Sequence, residues 1–400
     1  MKDLEKKNAS LALISIQVLV VIMVSSNLRS PITSVGPVLS QLSESLQLSN
    51  FQSSLLTSIP LFMFATCSVL VSRMSLKISI NRFLGYGMLV LTLGLLLRVS
   101  GSVAMLFLGS VLIGLGICIG NVITPGYIKN NFPKQLGIMT GIFAVAMNLT
   151  AALASGFSAG IGKATGLGWQ GSLGLWTIGA LFALLVVGVE LLLTKRSRRE
   201  DIATLAQSSI HVFKSAQAWN ISIFMGLQSL IFYSIVSWLP AVLVDFGMQA
   251  GEPGWVLFTI QFAMLPITFV GPILANKMKD QRAMIIFVCM LMLASVFMFA
   301  FLQSRFIYLT AILLGLSNGL SFSLSILFFS LRTKSSATAI KLSGMAQSIG
   351  YLIAAFGPPI FGKLHDWDAS WKCSFYFLAL AVVCLFFFGM RAAGKKFVED

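Results

Sequence analysis

Apolar runs recur from one end of this 400-residue chain to the other, each close to the roughly 20 residues a helix needs to cross about 30 Å of hydrocarbon. That spacing uses up the length of the chain in membrane spans. Only 10% of the residues are charged and 57% are hydrophobic, whereas a soluble domain carries roughly 25% charged residues. No water-soluble fold could hide that much apolar surface.

With Gly, Pro and charged residues as punctuation, the runs predict helices near residues 11–42, 51–72, 83–98, 103–128, 137–160 and 172–194, then near 218–244, 253–275, 283–302, 305–331, 341–363 and 372–391. The expected fold is an all-α membrane protein of twelve transmembrane helices. The charged start, Met1 to Lys7, precedes an apolar stretch that is too long for a signal peptide and lacks a small-residue cleavage site, so it reads as a first helix.

Of the 28 Lys and Arg residues, 22 fall in segments that lie on one side of this arrangement and 5 on the other, while Arg29 lies within a span. Cytoplasmic segments retain positive charge during insertion, so both termini are expected in the cytoplasm and the chain in the cytoplasmic (inner) membrane. The net charge of +15 therefore reports topology and gives no reason to expect nucleic acid as a partner.

The polar stretch from Lys195 to Gln217, with Lys195, Arg196, Arg198 and Arg199, divides the chain into halves at 1–194 and 218–400, with 195–217 as a cytoplasmic linker. Short matches recur between the halves at a nearly constant offset. Leu70-Val71-Ser72-Arg73-Met74 echoes Leu274-Ala275-Asn276-Lys277-Met278, and Leu112 to Leu115 echoes Leu313 to Leu316. Gly141 pairs with Gly344, Pro37 with Pro240 and Trp169 with Trp371. Two parallel six-helix pseudo-repeats follow.

Arg29 is the residue that most needs a reason. Matching Pro37 to Pro240 aligns Arg29 with Phe232, mid-way along the seventh span, which places the guanidinium near the bilayer centre at a cost of about 2.5 to 3.5 kcal/mol. On a helical wheel Ser25, Ser26, Thr33, Gly36 and Ser40 share its side, while Val20, Val24, Leu28 and Val35 lie away from it. None of the thirteen acidic residues is expected deep in a helix, Glu190 lying about one turn from the end of the sixth. Arg29 then reads as a positive charge for an anionic or electron-rich solute. The alternatives are snorkelling to the interface, capture of carbonyls freed by Pro31 and Pro37, and a structural role between the halves. Asn121, Asn148, Gln228, Tyr233, Trp238, Asn318, Gln347 and Tyr351 also lie in spans. Singly such residues join helices; together they could line a cavity.

Catalytic and metal chemistry find no support. Gly156 to Gly160 and Gly315 to Gly319 match GxSxG but lie in helical runs, away from His211 and His365, and are better read as GxxxG packing. Gly114 to Gly120 only approximates a dinucleotide fingerprint, and the Asn148-Leu149-Thr150 sequon is inside a helix. Cys67, Cys118, Cys289, Cys373 and Cys384 are scattered singly, without metal-ligand spacing. The chain is expected to be no enzyme and to need neither metal nor cofactor.

Several stretches resemble the cyanate permease and 2-nitroimidazole transporter family of the major facilitator superfamily. They are Asn27-Leu28-Arg29 with Thr33 to Pro37, Gly116 to Val122 with Pro125, Gly137 to Gly141, Gly226 to Leu230 with Phe232-Tyr233 and Trp238 to Pro240, and Leu342 to Gln347 with Gly350-Tyr351. The resemblance covers nearly the whole chain. It implies movement of small anions or polar heterocycles by alternating access of two halves about a site on the first, fourth, seventh and tenth helices. It makes Arg29, Asn121, Gln228, Tyr233 and Gln347 candidate cavity residues. One departure is in the loop after the second helix, where the superfamily usually has an aspartate before a basic residue; here stand Ser72-Arg73 and, in the second half, Asn276-Lys277.

The expected partners are a small-molecule substrate and membrane lipid, with the chain a monomer. Efflux of drug-like neutral or anionic compounds is the alternative within transport, for which 18 Met and 32 Phe would suit a cavity wall. A proton relay on the protein is not expected without a deep acid.

Overall fold

A computed structural model describes residues 2–48, 50–75, 77–194, 211–248, 252–302 and 305–400, leaving aside the side chains of 2–11, 40, 50, 51, 53–55, 57, 159, 252 and 254. Lys195, Arg196, Arg198 and Arg199 lie outside the described residues, as does most of the linker expected at 195–217. Eleven stretches among the described residues are long and apolar enough to span a membrane, and Ser58–Met74 is a shorter twelfth.

The first span is broken. Helix α1 (Lys2–Ser26) is followed by α2 (Ser30–Thr33), a 3-10 turn (Gly36–Val38) and α3 (Leu39–Ser45), where the sequence predicted one helix over 11–42. Pro31 and Pro37 each lack the N–H that would close a helical hydrogen bond, and Gly36 lies between them with nothing packed on it. A proline alone is not enough: Pro240, the counterpart of Pro37, sits inside an unbroken helix, α9 (Ala216–Asp245). Residues lying away from Arg29 on the wheel, Val20, Val24, Leu28 and Val35, are all buried, so that side of the span also packs against protein.

Between these lie α4 (Asn50–Met74), α5 (Ile80–Arg98), α6 (Val103–Asn131), α7 (Leu136–Thr165) and α8 (Gly168–Leu193). After α9 come α10 (Glu252–Lys277), α11 (Arg282–Leu302), α12 (Ile307–Leu331), α13 (Ser336–Ala355), α14 (Gly357–Trp367) and α15 (Lys372–Ala392). The helix predicted over 341–363 is therefore two, parted at Phe356 before Pro358 and Pro359. Beyond α14, Asp368 accepts hydrogen bonds from Ser370 and from the Cys373 N–H; these bonds, Ser370 first, hold its carboxyl well below the usual carboxylate range.

The chain forms two compact units. Unit 1 comprises Met1–Gln135, Ile142–Ser209 and Ser335–Gly344; unit 2 comprises Leu136–Gly141, Ile210–Lys334 and Met345–Asp400. Lipid offers no hydrophobic force to hold helices together, so close backbone packing must do it. In unit 1, α5 and α6 lock through glycines: a Cβ on Gly94 would lie 2.7 Å from the Ile113 nitrogen, and one on Gly109 2.8 Å from the Arg98 nitrogen. In unit 2, a Cβ on Gly319 would lie 2.9 Å from the Met264 carbonyl, so the Gly315–Gly319 pair does pack a helix. Gly156 and Gly160 do not, since nothing stands within 4 Å of a Cβ at either. Outward-facing Phe262, Leu185 and Met290 are more than half exposed, as side chains that meet acyl chains can be.

The repeat recurs inside each unit. Trp169, at the start of α8, donates to Ser45 Oγ at the end of α3 at 3.2 Å. Trp371, its counterpart, donates to Asp245 Oδ2 at the end of α9 at 2.8 Å. A Cβ on Gly344 would lie 2.7 Å from the Ser68 carbonyl in unit 1, and one on Gly141 2.8 Å from the Phe269 carbonyl in unit 2.

Candidate functional site

Breaking a helix in hydrocarbon leaves polar backbone that must find partners, and the partners here build the surroundings of Arg29. At the break, Val35 N–H bonds to Ile32 O, one residue short of its helical partner, Pro31 O. Arg98 Nη1 donates to that freed carbonyl at 2.6 Å. Asn27 Nδ2 ties the end of α1 to the Gly179 carbonyl of α8 at 3.2 Å, and Thr33 Oγ1 ties α2 to the Ala151 carbonyl of α7 at 3.1 Å. The break is thus fixed on three sides.

Arg29 stands at the N-terminal boundary of α2 with φ −125° and ψ −33°, half-buried. Its Nη1 donates to Asn148 Oδ1, on α7, at 2.7 Å. The carbonyl freed at Pro31 is held by a second guanidinium, that of Arg98. Asn148 is buried, and its Nδ2 has no hydrogen-bond acceptor. One side of the amide is therefore committed to Arg29, and the other is a buried donor that no acceptor of the protein answers. Asn121 is half-buried on α6, and its carbonyl lies 3.4 Å from Ser343 Oγ. Ser40, placed by the wheel on the side of Arg29, lies outside the described side chains.

Unit 2 holds the other candidates. Tyr233 on α9 and Tyr351 on α13, both half-buried, face each other with ring centroids 6.5 Å apart, and Phe232 stands edge-on to Tyr233 at 5.4 Å. Gln228 is buried two turns or less from Tyr233 on the same helix and donates to Ser229 Oγ at 2.7 Å. Gln347 is buried on α13, one turn before Tyr351. Two residues are engaged elsewhere. Trp238 Nε1 donates to the Pro358 carbonyl at 2.8 Å and its ring packs against Trp371, while Asn318 Nδ2 donates to the Leu314 carbonyl of its own helix at 3.1 Å, leaving its buried Oδ1 without a donor.

Two charged residues were misjudged by the sequence. Arg98, the end of the helix predicted over 83–98 and given no role there, is the last residue of α5 and is only 3% exposed, with Nε and Nη2 lacking acceptors. Glu190, read as close to a helix end and hence shallow, is 0% exposed. Distance from a helix end measures depth along the span only; neighbouring helices that run past that end bury the side chain from the flanks. Ser72 and Asn276, which stand where the superfamily usually has aspartate, each lie against a glycine. A Cβ on Gly344 would lie 2.6 Å from Ser72 Cβ in unit 1, and one on Gly137 2.7 Å from Asn276 Cβ in unit 2.

Residues 17–355 match the family model described as Major Facilitator Superfamily. Among curated proteins, the chain is 37% identical to the "Uncharacterized transporter YycB" of Bacillus subtilis (strain 168), over 94% of this chain and 93% of that one. It is 32% identical to the 2-nitroimidazole transporter of Escherichia coli (strain K12), over 94% and 95%, and 26% identical to the cyanate transport protein CynX of the same strain, over 95% and 98%. Among solved structures, the proton:xylose symporter XylE superposes with a TM-score of 0.74 at 13% identity, over 93% of this chain and 95% of that one. At that identity the match speaks for the fold alone.

Proposed function

The chain belongs to the major facilitator superfamily, and from that premise we propose that it is a secondary transporter of a small anionic or polar heteroaromatic solute, working by alternating access. It is a multi-pass membrane transport protein and not an enzyme. The proposed setting is the cytoplasmic membrane with both termini inside, supported by the uneven distribution of Lys and Arg between alternate loops.

The observation that carries the solute class is the contact of Arg29 with Asn148, at 2.7 Å, together with the Asn148 Nδ2 donor that lacks an acceptor. A cyanate or a nitro group offers acceptor oxygens or nitrogen and no donor, so it fits a donor pair and would be rejected by an acceptor pair. In unit 2, Tyr233 and Tyr351 supply an aromatic face suited to a flat ring. The names of two relatives, a 2-nitroimidazole transporter and a cyanate transport protein, support the same chemistry.

Thermal unfolding of the purified protein in the presence of cyanate or 2-nitroimidazole tests the reading. A ligand that binds only the folded protein raises its stability by RT ln(1 + [L]/Kd), about 2.7 kcal/mol at 100 times Kd. A concentration-dependent rise in melting temperature with either compound, and none with a cationic heteroaromatic of similar size, is expected; stabilisation by the cation alone would refute it.

A further inference from the structure

Glu190 lies on α8 one turn before the helix ends at Leu193, wholly buried in unit 1. Its two oxygens are treated differently. Oε1 accepts from Tyr127 Oη of α6 at 2.7 Å and from Asn81 Nδ2 of α5 at 3.0 Å, whereas Oε2 is buried with no hydrogen-bond partner. One turn on from Tyr127, Asn131 donates to the Tyr127 carbonyl at 3.1 Å and accepts from Gln17 Nε2 of α1 at 3.1 Å. Polar side chains of α1, α5 and α6 thus gather around one carboxyl on α8.

No cation faces that carboxyl among the described residues. On α5, Arg82 follows Asn81 and is exposed; on α6, Lys129 lies two residues past Tyr127, half-buried, and the ion pairs of the described residues do not involve Glu190. From Ala12 to Ser26, α1 carries no charged residue, and on α8 Glu190 is the only one. Among the described residues, Tyr127 is the titratable neighbour in contact. A buried carboxylate without a counter-charge is the costliest form such a side chain can take. The neutral acid needs no counter-charge: the oxygen that accepts twice then serves as its carbonyl, and Oε2, which has no partner, is the position left for a proton.

We infer that Glu190 is a proton-binding site, holding a proton on Oε2 and exchanging it with water at the half-buried rim of Gln17, Asn81 and Asn131, so that solute transport depends on its loading. On release the Oε2–H bond breaks, the proton passes to water, and the carboxylate charge is left facing the Tyr127 hydroxyl and the Asn81 amide. The transport part of this inference rests on the function proposed above; the proton site itself does not.

Two measurements separate them. In pH-difference infrared spectra of the purified full-length protein, the wild type should show a carbonyl-stretch band of a buried protonated carboxyl that is lost in Glu190→Gln and shifted in Tyr127→Phe, which keeps the acid but removes one hydrogen bond. In proteoliposomes, exchange of 2-nitroimidazole or cyanate should vary with pH in the wild type and lose that dependence in Glu190→Gln. Identical infrared spectra of wild type and Glu190→Gln would overturn the proton site. A band that disappears while the pH profile of exchange is unchanged would overturn its link to transport. Should neither solute move through the wild-type protein, the solute assignment fails and the infrared comparison still decides the proton site; if Glu190→Gln does not fold, an unshifted band in Tyr127→Phe contradicts the assignment.

Discussion

Arg29 and Asn148, separated by 119 positions in sequence, are joined by a hydrogen bond of 2.7 Å. An asparagine in this place does what an aspartate could not: it orients the guanidinium without neutralising it. Because the amide spends its oxygen on Arg29, its nitrogen remains as a second donor with no acceptor. The break in the first span is what puts Arg29 at the boundary of α2, and Arg98, Asn27 and Thr33 hold the break in place.

Replacing Asn148 by Asp converts the donor pair into an internal ion pair. Hydrogen bonds to charged groups contribute about 1.5 to 3 kcal/mol, so anion binding is expected to fall by about tenfold or more while the protein stays folded. Comparison of cyanate-induced thermal shifts for the wild type and Asn148→Asp checks it; unchanged stabilisation would count against the Arg29 site.

Tyr233→Ala and Tyr351→Ala should discriminate between solutes. Aromatic pairs contribute about 0.5 to 1.5 kcal/mol beyond area burial, which corresponds to roughly two- to tenfold in affinity. Exchange of 2-nitroimidazole is expected to weaken by that factor, and exchange of cyanate, which has no ring, to change little. Equal losses for both solutes would show that the tyrosines act on the fold.

Glycine substitutions should sort by what stands opposite. Gly94→Val and Gly109→Val force a side chain into backbone of the facing helix, and overpacking typically costs about 1 to 3 kcal/mol or more where backbone cannot move. Both should lose the monodisperse peak in size-exclusion chromatography. Gly156→Ala and Gly160→Ala, which meet nothing within 4 Å, should elute as the wild type does.

The repeat-related tryptophans offer a test of equivalence. Trp169→Phe and Trp371→Phe each remove one indole hydrogen bond and keep an aromatic ring, so the first, bonded to a hydroxyl, should destabilise by about 1 kcal/mol and the second, bonded to a carboxylate, by about 1.5 to 3 kcal/mol. Since the two bonds lie in separate units, the double variant should show the sum. Thermal unfolding in detergent measures all three.

Much of the fold was legible because a membrane span must be apolar for its full length and its flanking charges are sorted by side. The predicted helices at 83–98, 103–128 and 372–391 begin or end within a few residues of α5, α6 and α15. Local chemistry was less legible. A single proline is absorbed in α9 and two prolines with Gly36 break the first span, a cooperative effect that no one residue announces. Arg29 was found because it lies mid-span. Arg98 and Glu190 were missed because each sits near a helix end in sequence, and whether such a residue reaches water or is enclosed depends on neighbours such as Tyr127 and Pro31, which are distant along the chain. Trp238 and Asn318 looked like cavity residues by composition, and only their partners, the Pro358 and Leu314 carbonyls, reveal what their donors do.

The central claim, that the Arg29 charge selects the solute, is tested most directly by cyanate exchange in proteoliposomes carrying wild-type protein or Arg29→Gln. The account predicts that Arg29→Gln, with the amide kept beside Asn148 but the charge removed, lowers exchange by about tenfold or more, in line with about 1.5 to 3 kcal/mol for a charge-assisted contact. Exchange by Arg29→Gln at the wild-type rate would contradict it.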